Sequence, residues 1–95
     1  MNANLLNDLA EYVGVLSASL ETTRRAEDRS AYVAHLAASA LIFQSFVNED
    51  FSRVREHLIA EQQAYGRSFL AGDEGKSAEA AFARLVELFK QWERN

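Results

Sequence analysis

His35, His57 and Glu61 are the side chains in this 95-residue sequence whose types and spacing could do chemistry. His35 stands inside "AYVAHLAASALIFQSFV", within a stretch from Ser30 to Asn48 that has no charged side chain. An imidazole there could take a proton, hold a metal or accept a phosphoryl group. His57 and Glu61 are four residues apart and share a helical face, the spacing of two ligands to one ion. A metal centre built between bundle helices asks for more, such as paired Glu-x-x-His motifs, and the sequence has none. The pair therefore reads as a surface couple with ion-pair character. Nothing in the spacing of His35 and His57 selects them as axial haem ligands. There is no cysteine, which excludes disulfides and thiolate sites, and there is no glycine-rich phosphate loop or nucleophile motif. No cofactor, metal or catalytic residue is expected. Gln62 is the one polar residue expected to fall on an apolar stripe of the third helix, as a packing or register device.

The run "AHLAASALIF" resembles the active helix of histidine-containing phosphotransfer domains, in which a histidine followed by small residues is exposed on a bundle surface and accepts a phosphoryl group. The resemblance implies phosphotransfer through His35 as the alternative function. The family pattern has a lysine and a glycine shortly after the histidine, where this sequence has Leu36, Ala37, Ala38 and Ser39. Arg29 is the only cation near a helical turn of His35, so a phosphohistidine would lack local neutralisation. The first expectation for His35 is a hydrogen-bonded histidine at the edge of an interface.

Proline is absent and the four glycines are scattered, so helical periodicity runs with little interruption. A first helix is expected from Leu5 to Arg25, with Asn4 as cap and an inward stripe of Leu6, Leu9, Val13, Leu16 and Leu20. Gly14 interrupts it, and a close neighbouring backbone would explain that. A second helix starts near Asp28 or Ser30 and carries Val33, Leu36, Ala40, Phe43 and Val47. Asn48-Glu-Asp-Phe predicts a break, although a stutter would let the second and third helices run on as one kinked rod. The third stripe is Phe51, Val54, Leu58, Tyr65 and Phe69. Gly72-Asp-Glu-Gly is expected to form a turn and Ser77 to cap the fourth helix, whose stripe is Ala78, Phe82, Leu85, Phe89 and Trp92. The expected fold is a single all-α domain over residues 1–95, an antiparallel four-helix bundle, with three helices and a long kinked middle one as the alternative.

A bundle helix needs one apolar stripe, and the second helix has two. Tyr32, His35, Ser39, Ile42 and Phe46 form the additional one, with alanines between. They are expected to meet a protein partner or a second copy across a two-fold axis, the latter because one core of this length is only marginally stable. The function expected is protein–protein interaction by a homodimeric regulator, chaperone, immunity factor or adaptor. A net charge of −4 with no uniformly basic cluster speaks against nucleic acid, and polar residues within the apolar run speak against a membrane span. The N-terminus lacks the basic segment and apolar core of a signal peptide, which points to the cytoplasm. Alanine content and the excess of arginine over lysine fit a bacterial protein.

Overall fold

The structure is a computed structural model that describes residues 3–67, 70 and 72–94. It contains four helices and, among the described residues, no strand: α1 (Ala3–Thr22), α2 (Ala26–Val47), α3 (Phe51–Arg67) and α4 (Gly72–Arg94). α1 packs against α2 and α4, and α2 packs against α3. The bundle is 40 × 21 × 19 Å. Side chains join α3 to α4: Tyr65 with Phe82, Phe51 with Trp92, and Arg55 with Glu93.

Helices α2 and α3 are separate. Glu49 takes a left-handed φ of 57°, and the Asp50 side chain accepts from the Arg53 amide at 3.2 Å, capping the next helix. The expected cluster of poor helix formers thus ends one helix and starts another. α1 stops at Thr22, three residues before the expected Arg25, because Arg29 reaches back to the carbonyls of Leu20 and Thr23, both at 3.3 Å. α2 begins at Ala26 and not at a side-chain cap; Glu27 and Asp28 lie in its first turn, where acids favour the dipole. Gly72-Asp-Glu-Gly is the first turn of α4 and not a preceding turn. Gly72 enters it at a φ of +75°.

Gly75 is needed by close approach: a Cβ there would lie 2.1 Å from the Leu70 carbonyl oxygen. Gly14 has no such neighbour, since nothing lies within 4 Å of where its Cβ would be, so the expected backbone contact is absent. The α4 stripe is as expected, with Ala78, Phe82, Leu85 and Phe89 buried and Trp92 half-buried. On α1 the buried series is Leu5, Leu9, Tyr12, Leu16 and Ser19, rotated from the expected stripe so that Leu6, Val13 and Leu20 lie on its flank. In α3, Val54 and Leu58 are buried and Tyr65 is half-buried, whereas Phe51 is 40% exposed; Phe69 lies outside the described residues.

Candidate functional site: the two faces of helix 2

The two stripes of α2 stand the opposite way round from the sequence expectation. Tyr32, His35, Ser39, Ile42 and Phe46, expected to face a partner, are all buried inside the bundle. They are spaced three and four apart from Asp28 onward, which keeps them on one side of α2 toward α1 and α3. Val33, Phe43 and Val47, expected inside, are 54%, 49% and 42% exposed, and Leu41 is 48% exposed. The five residues are therefore core residues of this chain, and the side of α2 open to another molecule carries Val33, Ala40, Leu41, Phe43 and Val47.

The inward face holds a polar cluster that draws three helices together. Nδ1 of His35 (α2) lies 2.8 and 3.0 Å from the two carboxylate oxygens of Glu61 (α3) and donates to them. Tyr12 of α1 donates its hydroxyl proton to Glu61 at 2.9 Å. With that proton committed, Tyr12 accepts from the Tyr65 hydroxyl at 2.6 Å. The His35 and Tyr65 rings stack in parallel with centroids 4.3 Å apart, and Phe82 of α4 closes over Tyr65 at 5.1 Å. Ser39 returns its hydroxyl to the His35 carbonyl at 2.9 Å.

Burial raises the Tyr12 phenol far above its ordinary value, with the Tyr65 hydroxyl and the Glu61 charge adding to the effect. Burial, with Glu61 nearby, raises Tyr65 as well. Tyr32 is raised by burial too, with the nearby Ser19 hydroxyl opposing the shift.

These contacts revise three expectations. Glu61 pairs with His35 across the core and not with His57, which is half-buried on α3. The buried polar residue of α3 is Glu61 and not Gln62, which is exposed. A phosphoryl acceptor must be reachable by its donor, and His35 is 3% exposed and engaged at Nδ1. Among the described residues no group of three or more His, Asp or Glu side chains could hold a metal ion.

Outside, α2 borders an apolar groove of about 370 Å³ lined by Leu6, Ala10 and Val13 of α1 and by Ala40 and Phe43 of α2. α2 itself has no charged side chain between Ser30 and Asn48, and on its other flank Leu41 and Gln44 border a pocket that also holds Asp50, Arg53 and His57. By length and composition, α2 is the one helix among the described residues apolar enough to cross a membrane. The chain matches no protein-family model, and no curated protein or solved structure matches it.

Proposed function

We propose that this protein acts by association with a protein surface through the outward face of α2 and the adjoining α1/α2 groove, as a non-enzymatic cytoplasmic regulator, chaperone, immunity factor or adaptor. One observation carries the reading: Val33, Leu41, Phe43 and Val47 are each about half exposed on a helix with no charge over five turns. A lone exposed valine or leucine is ordinary on a soluble protein, but Val33, Phe43 and Val47 on one side of the helix beside an apolar groove make a patch of the kind that interfaces use, with Leu41 on the opposite flank. Occlusion is the mechanism this surface supports, the docked partner being kept from its other contacts. The phosphotransfer alternative has little support, because His35 is buried and held by Glu61.

Site-specific photo-crosslinking in cells tests the proposal. A photoreactive residue at Val33 or Val47 is expected to give discrete protein adducts, and one at the exposed Ala80 of α4 is not. Absence of adducts at both α2 positions sinks it.

A further inference from the structure

We infer that the occupant of the outward α2 face is a second copy of this chain, with the two α2 helices antiparallel across a two-fold axis near Ala40. The inference rests on the association proposed above and names its partner.

An isologous interface must be complementary to itself, so each patch has to carry both the projection and the hollow that receives it. This face has both. The half-exposed Phe43 ring stands at the rim of a groove of about 370 Å³ that it lines together with Leu6, Ala10 and Val13. Ala40 lies between them at the middle of the charge-free stretch, small enough for two helices to approach closely there. An antiparallel pair centred on Ala40 sets Val33 of one copy opposite Val47 of the other, since each lies seven residues from the centre. The same operation keeps both α1 helices on one side of the pair, so each Phe43 lies against the α1/α2 surface of the opposite copy.

Charge argues for self-pairing. The chain carries −4, so two copies repel unless the surfaces that meet are neutral. The outward face of α2 has no charged side chain between Ser30 and Asn48, so residues brought to the axis meet no like charge. The charged groups nearest the face, Asp50 and Arg53, lie at its edge beside Leu41, away from the proposed axis at Ala40. A membrane-surface helix would instead pair its apolar face with lysines and arginines, which α2 lacks beyond Arg29.

Light scattering on the full chain, loaded from micromolar to near-millimolar concentration, is expected to give twice 10.7 kDa. Ala40→Glu and Ala40→Lys should each give 10.7 kDa with unchanged helicity by circular dichroism, because Ala40 is exposed in the single chain. The dimer dissociation constant should rise by at least about 100-fold when like charges meet at the axis without solvent. An equimolar mixture of the two variants should recover the doubled mass, which only a contact of Ala40 with its own copy predicts. Ala80→Glu is the control that keeps the parent mass. A parent at 10.7 kDa throughout, or an Ala40→Glu protein that still doubles, overturns the inference. A monomer whose Val33 crosslinks to a different protein leaves the association reading intact with the wrong occupant. A monomer that gives no protein adduct but floats with vesicles, and loses this with Ala40→Glu, removes both.

Discussion

Tyr12 and Tyr65 should stay protonated in the folded state far into the alkaline range and ionise only when the bundle opens, and Tyr32 is shifted in the same direction. Tyr12 and Tyr32 are 0% and 1% exposed, and Tyr65 is half-buried with its hydroxyl committed to Tyr12. Burial raises each phenol above its ordinary value, so the folded state holds its protons after the unfolded chain has begun to lose them. The sign follows. A group with a raised folded-state pKa contributes stability that is intact below the unfolded value and declines as pH climbs past it. At about pH 11, one unit above the ordinary phenol, each tyrosine withheld from ionisation costs about 1.4 kcal/mol, so Tyr12 and Tyr65 together cost about 3 kcal/mol. Near about pH 12 the two cost about 5 kcal/mol, a third or more of the about 5–15 kcal/mol that a domain of this size has in all. The assay is a pH titration followed by phenolate absorbance and helical circular dichroism together. Absorbance should stay flat through the ordinary phenol range and then rise with the loss of helix as one transition. A phenolate signal with a midpoint near about 10 while the helices stay intact would refute the burial of these hydroxyls and with it the inward placement of Tyr32.

Two further outcomes follow from the packing. Gly14→Ala should raise stability by about 1 kcal/mol in a denaturant titration, because the new methyl meets nothing within 4 Å, whereas Gly75→Ala should lower it by about 1–3 kcal/mol against the Leu70 carbonyl. Glu61→Ala, which strips His35 and Tyr12 of their shared acceptor, should cost about 3–5 kcal/mol, while the double variant His35→Leu with Glu61→Leu should be neutral or more stable and yet show broadened side-chain resonances.

The helices and the α4 stripe could be read from periodicity, and the break at Asn48–Asp50 from its run of poor helix formers, because each rests on residues close in sequence. Which side of α1 and α2 goes inside could not. The expected α1 stripe and the observed one share Leu9 and Leu16, and they differ in whether Leu6, Val13 and Leu20 or Leu5, Tyr12 and Ser19 complete the three-four pattern. In α2 both series keep that spacing and stand one residue apart, a rotation of about 100°. Periodicity weighs such alternatives equally when both sides are apolar. The deciding contacts are distant in sequence: His35 and Glu61 are 26 residues apart, and Tyr12 and Glu61 are 49. A trace of the answer was present, since Val54, Leu58, Glu61 and Tyr65 keep the four-three-four spacing and place Glu61 on the inward stripe.

That ambiguity gives the buried cluster its physical role. α2 has two sides that would serve as core, and a bundle held by hydrophobic burial alone would bury either at similar free energy. Turning Val33, Phe43 and Val47 inward would carry His35 away from Glu61 and leave a carboxylate, an imidazole and the Tyr12 hydroxyl without their partners, a cost of several kcal/mol. The observed rotation is the one that satisfies all of them, so the polar contact selects a state that apolar area cannot. Desolvating the pair offsets much of its own attraction, and for that reason its replacement by leucines should preserve stability while losing uniqueness. The same selection keeps the charge-free stripe outside: the groups that fix the core also determine which surface α2 offers for association.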